Sequence, residues 1–544
     1  AEGTPARGAA HRAPPPSRAA ILRTGSGDIK TPPLRLRGKK GKRNQKRPVR
    51  EAEESDEEEW EDMEEGFQGF SSVVKVFATI QEPDYGNPWQ TLSVENATGS
   101  AVVVETSVGL RVLTAAHVVA DQTFLQVQRT GVENPDKYVA QVYAVWHECD
   151  LALLQVDDPL FWESLEPAEL GNLPSLRDLI LVAGFPVGGE ELSITEGVVS
   201  RIEGQPYSHS QRLLLAVTVD AAINAGNSGG PVFNDSGELV GIAFQALTDA
   251  ENTGHIVPPP VVRHFLEGIA ACGPSGYKGF PSIGVAWQQL TNPYLRTHLL
   301  MGRKQTGVLV TDVFYNNTCF GVLKRNDVIL SINGRQVANN GTVAFERHGR
   351  VDFEIMVTMF QCGTAVTLKI LREGQEMEVS VNLMPLHDLV PLAQHDRAPP
   401  YFMYCGLVFQ PLSLDYLESQ GRGDAEFGFL LERGTPKEES MQVIILSQGL
   451  TDAINVGYDE LANQIIILVN GKKPRDLRDF VTIVESCTEP TLRFETSCHD
   501  MIILPGPATP EAAEANKRIM SRYHVGADRS PDLIKPDNME LGGA

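Results

Sequence analysis

Short apolar runs separated by turn residues are the feature that most restricts how this chain can fold. Between Val73 and Val257, runs of four to six apolar residues alternate with segments rich in Gly, Pro and Asn. Runs of this length suit strands better than helices, and the residues between them favour tight turns. They lie at 73–78, 101–104, 151–154, 179–182, 213–217 and 238–242. The pattern predicts an all-β sandwich or barrel.

The pattern changes after Val257. A proline cluster followed by residues 261–269 predicts a short amphipathic helix that closes the domain. Beyond it, a strand ending in Asn-Gly occurs twice, at 322–334 and at 463–471, and Asn-Gly favours a tight hairpin turn. This weak repeat predicts two small C-terminal domains of related design.

The length and charge of the chain limit its function. With 544 residues it is expected to form roughly three to four domains. A net charge of -23 makes nucleic acid an unlikely partner, because an acidic surface repels phosphate. No apolar stretch is long enough for a membrane-spanning helix, so no membrane span is predicted.

The first 66 residues differ in composition from the rest. A basic run, Arg35–Arg50, is followed by an acidic run, Glu51–Glu65. Blocks of like charge bury little surface, so a disordered tail is expected at 1–66. Alternatives are a nuclear-localisation or nucleic-acid patch, or the remnant of an organellar leader. Because the sequence starts at Ala1 without Met, a mature form or a fragment is expected.

The cysteines indicate the compartment. There are seven, an odd number, and none forms a CxxC pair. This argues against a disulfide framework and against a zinc site, so no metal and no cofactor are predicted. An intracellular reducing compartment is expected, either the chloroplast (stroma or thylakoid-associated) or the nucleus.

One segment, Asp220–Pro231, has a serine flanked by glycines. A nucleophilic serine needs backbone N–H groups about 3 Å from the oxygen that becomes negatively charged. Ser228 is therefore a candidate nucleophile, and the amides of Gly226 and Ser228 are candidates for the oxyanion hole. Read alone, the same glycine-rich stretch also fits a hairpin.

A serine hydroxyl needs a general base, and the base needs a carboxylate to orient it. His117 follows one apolar strand, and Asp150 precedes another. Each alone also fits a structural role, as a histidine at a strand end or an aspartate in a turn. Together with Ser228, at separations of 33 and 78 residues, they have the His–Asp–Ser order of chymotrypsin-type proteases. A serine-peptidase triad is predicted.

Several segments resemble the HtrA/Deg serine proteases, in particular the plant branch with two PDZ-like domains. They are TAAH (114–117), DLALLQV (150–156), GFPVGG (184–189), ITEGVVSRIE (194–203) and DAAINAGNSGGPVFN (220–234). The resemblance implies a mostly β fold with a chymotrypsin-like double β-barrel followed by two PDZ-like α+β domains. The expected boundaries are a tail at 1–66, the protease at 67–272, PDZ-like domains at 280–390 and 400–505, and a tail at 506–544.

The resemblance also implies an activity. It is that of an ATP-independent endopeptidase that degrades damaged or unfolded proteins and assembles as a homo-oligomer, a trimer or a hexamer of trimeric units. The residues that would line its substrate pocket are Ile223, Ile242, Ala243 and Phe244. Apolar walls without an acidic residue favour a small or medium aliphatic side chain. The segment Phe67–Phe77, together with Tyr85 and Trp89, is expected to pack subunits around a three-fold axis.

The C-terminal domains are expected to differ in role. Pro281 removes an amide donor from the loop where the family captures a peptide carboxylate, so peptide binding by the first domain is in doubt. The aromatic segment 401–404 at the start of the second domain is expected to be exposed and to serve assembly. The alternative function is a PDZ scaffold or chaperone with a catalytically silent barrel.

Overall fold

We describe a computed structural model of the chain. The described residues are 68–534 without 131–135, 164, 188, 190, 225, 247–252 and 422–424. The expected tail at 1–66 lies outside them, as do residues 535–544.

The first six strands close into an antiparallel barrel in the order β1-β2-β3-β6-β5-β4. Val74 of β1, for example, is paired with Ala101 and with Arg129 on its two sides. Alternate residues of these strands fill the barrel, including Val74, Val76 and Leu154. The elements are a 3₁₀ turn (Gln68–Ser72), β1 (Val73–Ile80), β2 (Glu95–Thr106), β3 (Gly109–Thr114), α1 (Ala116–Val119), β4 (Gln122–Arg129), β5 (Lys137–Trp146), a 3₁₀ turn (His147–Cys149), β6 (Leu151–Gln155) and α2 (Pro159–Trp162).

The next six strands close into a second barrel in the order β10-β11-β12-β9-β8-β7. Its elements are β7 (Leu179–Gly184), β8 (Ser193–Pro206), β9 (Leu213–Val219), β10 (Pro231–Asn234), β11 (Leu239–Ala246), β12 (Gly254–Val257) and the closing helix α3 (Pro259–Cys272). Helix α3 begins after Pro258 and ends at Gly273, whose φ of 72° suits a helix terminus. The predicted double barrel and closing helix are confirmed.

The first C-terminal domain has a sheet in the order β14-β15-β16-β20-β21, with β17 paired to β16, and two short ribbons, β13-β22 and β18-β19. Its elements are β13 (Pro281–Ser282), β14 (Val285–Gln289), α4 (Pro293–His298), β15 (Val308–Val313), β16 (Val328–Ile332), β17 (Arg335–Gln336), β18 (Thr342–Ala344), β19 (Arg350–Asp352), α5 (Phe353–Thr358), β20 (Ala365–Arg372), β21 (Gln375–Asn382) and β22 (Met384–Pro385). Asn333 and Gly334 both have positive φ, as the predicted Asn-Gly turn requires.

The second C-terminal domain is a six-stranded sheet in the order β23-β24-β25-β26-β27-β28. Its elements are β23 (Phe402–Tyr404), β24 (Leu407–Pro411), α6 (Leu414–Ser419), α7 (Ala425–Arg433), β25 (Ile444–Gly449), a 3₁₀ turn (Asp459–Leu461), β26 (Gln464–Val469), α8 (Leu477–Glu485), β27 (Thr491–Thr496), β28 (Met501–Pro505), α9 (Pro510–Tyr523) and a 3₁₀ turn (Pro531–Leu533). Both C-terminal domains are α+β, as expected.

The segment that follows β28 differs from the expected tail. Helix α9 places Ala512, Ala515 and Ile519 in the apolar core of the second C-terminal domain. Arg518 donates two hydrogen bonds to the carboxylate of Asp452, which is almost fully buried, and the Arg522 side chain donates a third. The described part of 506–534 is therefore part of this domain.

One expectation about aromatic residues is corrected, and two other aromatic residues make contacts within the chain. Residues 401–404 are not an exposed cluster: Tyr401 is 5% exposed and Met403 0%, because the strand lies inside the core of the second C-terminal domain. Trp89 contacts Tyr401 edge-on, with ring centroids 5.9 Å apart, and the Tyr85 hydroxyl donates to the carbonyl oxygen of Gln394. Tyr85 and Trp89 thus join the loop after β1 to the C-terminal part of the same chain.

Candidate active site

The pairing of β3 with β6 brings His117 to Asp150. Thr114, at the end of β3, is paired with Ala152 near the start of β6, so the residues just beyond these positions are neighbours. His117 Nδ1 lies 2.7 Å from Asp150 Oδ2, and the His117 backbone N donates to Asp150 Oδ1 at 2.8 Å. Since a carboxylate only accepts, Nδ1 carries the proton and Nε2 is left as the acceptor. This is the orientation that a general base requires.

Asp150 is held rigidly as well as buried. Its side chain is 0% exposed, and its φ of 54° ends the 3₁₀ turn His147–Cys149. Its backbone N donates to the carbonyl oxygen of His147, and its carbonyl oxygen accepts from the backbone N of Ala116. A buried carboxylate is tolerable because both its oxygens accept hydrogen bonds.

Ser228 lies in the loop between β9 and β10, at the contact between the two barrels. Its carbonyl oxygen accepts from the backbone N of Ser100 in β2, at 2.9 Å. The next residue, Gly229, has φ of 81°, and a Cβ there would lie 2.2 Å from Thr114 Oγ1. Only glycine allows this approach to the strand that leads to His117. Within the described part of the chain, no hydrogen bond joins the Ser228 hydroxyl to His117, and in ligand-free proteases this bond is often loose.

A hydrogen bond and a glycine with positive φ fix the loop before Ser228. The backbone N of Asn227 donates to the carbonyl oxygen of Asn224 at 3.0 Å, and Gly226 has φ of 99°. A φ of this sign favours glycine at position 226. The Gly226 carbonyl oxygen accepts from Ser100 Oγ at 2.7 Å. Gly226 therefore has a fixed orientation beside Ser228.

Ser100 is a site residue that the sequence analysis missed. It is fully buried, and its Oγ also accepts from the backbone N of Phe185. Its backbone N donates to the carbonyl oxygen of Ser228, and its own carbonyl oxygen accepts from Thr114 Oγ1. Because it lies 126 residues before Gly226, no local motif links the two. A serine at the end of a Thr-Gly-Ser segment carries no sequence signal of its own.

The four residues expected to line the substrate pocket are all buried. Ile223 is 6% exposed, and a Cβ on Gly254 would lie 2.4 Å from its Cδ1. Ala243 exchanges backbone hydrogen bonds with Gly229 and Gly230, so it supports the Ser228 loop directly. Ile242 is 0% exposed, and Phe244 packs on Tyr207 with ring centroids 4.4 Å apart.

Cys149, beside Asp150, is the other potential nucleophile near this site. Burial raises the pKa of its thiol well above the usual value, and the charges of Glu148 and Asp150 raise it further. The thiol is therefore protonated at neutral pH and behaves as a small apolar side chain. All seven cysteines of the chain are free thiols.

A group of histidines lies next to His117. Among the described residues, His147, His209 and His395 each offer a ring nitrogen within 4.8 Å of the others. The ring of His209 is 6.1 Å from that of His117. The sequence analysis expected no metal site, and these three residues are the ones that could hold one.

Two families match the chain. A trypsin-like peptidase domain matches residues 99–242, and a PDZ domain matches residues 390–532. Both agree with the double barrel and with the second C-terminal domain described above.

Curated proteins of Arabidopsis thaliana are similar over most of the chain. A putative mitochondrial protease Do-like 3 is 38% identical over 85% of this chain and 80% of its own length. A mitochondrial protease Do-like 4 is 37% identical over 84% of both chains. A chloroplastic protease Do-like 2 is 37% identical over 86% of this chain and 76% of its own length.

Proposed function

The chain belongs to the Do-like family of serine proteases, and on that premise we propose that it is an ATP-independent endopeptidase that degrades damaged or unfolded proteins. The observation that carries this proposal is the hydrogen-bonded pair of His117 and Asp150, located where two barrels meet at the loop of Ser228. In the chymotrypsin-type mechanism these three residues act as base, orienting group and nucleophile.

The proposed reaction has two halves. Ser228 Oγ attacks the peptide carbonyl carbon while His117 Nε2 takes the hydroxyl proton, and Asp150 stabilises the resulting imidazolium. The amides of Gly226 and Ser228 bind the oxyanion. His117 then gives its proton to the leaving amine, and an acyl-enzyme forms on Ser228. Water, deprotonated by His117, hydrolyses this ester and returns the serine hydroxyl.

The proposed substrate preference is a small or medium aliphatic side chain next to the cleaved bond. Ile223, Ile242, Ala243 and Phe244 are apolar and buried, and Ala243 hydrogen-bonds to the two residues that follow Ser228. An apolar wall binds aliphatic groups by excluding water and leaves a basic side chain without a partner.

We also propose a homo-oligomer, either a trimer or a hexamer of trimeric units, located in an organelle. Exposed apolar side chains of the first barrel, among them Val94, Phe124 and Val139, support an interface because such groups gain from burial between subunits. Among the described residues, no helix is long and apolar enough to cross a membrane. The relatives' names as mitochondrial or chloroplastic proteins support the location.

A fluorophosphonate probe tests the proposed nucleophile, because it forms a covalent bond only with an activated serine. We expect labelling of the wild-type chain, none of Ser228→Ala, and strongly reduced labelling of His117→Ala. Ser236→Ala, in an exposed turn of the same barrel, is the matched control and should label like wild type. Labelling of Ser228→Ala at the wild-type rate would show that the nucleophile lies elsewhere.

A further inference from the structure

We propose that His147, His209 and His395 form a binding site for a zinc-like transition-metal ion beside the proposed active site. The three rings pack against each other: His209 and His395 are stacked with centroids 3.8 Å apart, and His147 is 4.6 Å from His395. His147 Nδ1 lies 2.9 Å from His209 Nε2. Metal–nitrogen bonds of about 2.0–2.1 Å at tetrahedral angles place ligand nitrogens about 3.4 Å apart. The stacked rings of His209 and His395 would have to turn so that their in-plane lone pairs point to one ion at this spacing.

The outer nitrogens of two rings already have the partners that ligating histidines take. His147 Nε2 donates to Asp396 Oδ2 at 2.9 Å, and His395 Nε2 donates to the carbonyl oxygen of His209 at 3.2 Å. A metal-bound histidine almost always gives its second N–H to a carboxylate or a carbonyl in this way. These bonds leave the Nδ1 atoms of His147 and His395 as acceptors, the form that binds a cation.

A carboxylate lies close enough to be the fourth ligand of a tetrahedral ion. Asp121 Oδ2 lies 3.9 Å from His395 Nδ1. This distance makes Asp121 Oδ2 a candidate for a further ligand of the same ion. Three imidazoles with one carboxylate or a water complete a tetrahedral zinc site.

The donor set selects the class of ion. Imidazole nitrogens suit Zn²⁺, Co²⁺, Ni²⁺ and Cu²⁺, whereas Mg²⁺ and Ca²⁺ prefer oxygen ligands. His209 and His395 are 5% and 4% exposed, so the site is largely shielded from water.

The position of the site gives it a structural role. His147 begins the 3₁₀ turn that ends at Asp150, His209 lies in the loop between β8 and β9, and His395 belongs to the segment before the second C-terminal domain. That segment is docked by paired hydrogen bonds between Asp121 and Asp396. A bound ion would fasten this segment to the turn that carries Asp150.

The test uses the full-length chain with Ser228→Ala, which prevents self-cleavage, after removal of metals with a chelator. We expect one Co²⁺ per chain with the visible d–d absorption of a tetrahedral site, no thiolate-to-cobalt band in the near ultraviolet, and displacement by Zn²⁺. Zn²⁺ should also raise the melting temperature, since an ion that binds only the folded state stabilises it.

Variants assign the site. His209→Gln and His395→Gln should lose the cobalt absorption, and Asp396→Asn should weaken binding about 10–100-fold. His298→Ala, an exposed histidine on α4, and His117→Ala should both bind as before. Melting curves in chelator identify variants that fail to fold. If the histidine variants do not fold, the cobalt affinity of Asp396→Asn tests the site instead.

Three results would overturn the proposal. They are a chain that takes up no Co²⁺ or Zn²⁺, unchanged affinity in Asp396→Asn, or loss of the signal in His117→Ala with retention in His395→Gln. The last would place the ion at the proposed triad. Because metal uptake is measured on an inactive variant, the result is independent of the proposed proteolysis.

Discussion

Asp150 makes two hydrogen bonds to one histidine from a fully buried position. One oxygen fixes the backbone of His117 and the other fixes its ring. An asparagine could keep only one acceptor, and its amide would face Nδ1 as a donor. The side chain at position 150 therefore decides which nitrogen of His117 is available to Ser228.

Asp150→Asn is predicted to lower kcat for peptide hydrolysis by about 10⁴-fold with little change in folding, because the wrong tautomer of His117 would be favoured. Steady-state kinetics on a short peptide measure this. Asp157→Asn, an exposed position just beyond β6, is the matched control and should keep full activity. Equal activity of both variants would remove Asp150 from the proposed mechanism.

The sequence predicts the candidate triad but not the residues that support it. His117, Asp150 and Ser228 each have a local motif, and their order matches one protease type. Ser100 and the three clustered histidines have none, since His209 is 62 residues from His147 and 186 from His395. Contacts at such separations arise from barrel closure and domain docking, which no local pattern encodes.

At the level of elements, helix α5 of the first C-terminal domain packs against the second barrel. Gly204 of β8 lies so close to α5 that a Cβ there would come within 2.9 Å of Ile355. At the neighbouring Glu354, burial raises the pKa to about 7, the charge of Asp352 raises it too, and Arg212 lowers it. A titratable group thus lies at the domain contact.

Glu354→Gln is predicted to stabilise the protein increasingly as pH rises. Between about pH 4.5 and 7 the folded chain binds more protons at Glu354 than the unfolded chain, so this group's contribution to stability falls as pH rises through that window. The difference in melting temperature between variant and wild type should be larger at about pH 7.5 than at pH 5. Glu267→Gln, exposed on α3, should show no such trend. A pH-independent difference for Glu354→Gln would contradict the raised pKa.

The sequence predicts a tail where helix α9 lies, because the buried face of this helix is made mostly of small residues. Ala512 and Ala515 contribute little to a hydrophobic pattern, and only Ile519 is a large buried side chain. Its attachment to Asp452 joins residues 66 positions apart. Tertiary packing rather than local pattern makes this helix part of the domain.

Ile519→Ala is predicted to destabilise the second C-terminal domain by about 2–5 kcal/mol, the usual cost of a cavity left by a large aliphatic side chain. Chemical denaturation followed by a signal from this domain measures it. Lys517→Ala, exposed on the same helix, should change stability little. If the two variants were equally stable, α9 would not be part of the core.

At the scale of the whole molecule, the chain joins two barrels and two α+β domains through contacts that its sequence does not reveal. The double barrel was predictable from strand spacing together with the resemblance of the triad motifs. The contacts of Tyr85, Trp89 and residues 401–404 within the chain could not be predicted. In the sequence, an aromatic cluster that packs within its own chain looks the same as one that packs against another subunit.

The central claim is that this molecule hydrolyses proteins through Ser228. The most direct measurement is degradation of casein by purified wild-type and Ser228→Ala chains, without ATP, followed by gel electrophoresis. We expect wild type to degrade casein and Ser228→Ala to leave it intact while melting at the same temperature. Full degradation by Ser228→Ala, or none by well-folded wild type, would contradict the claim.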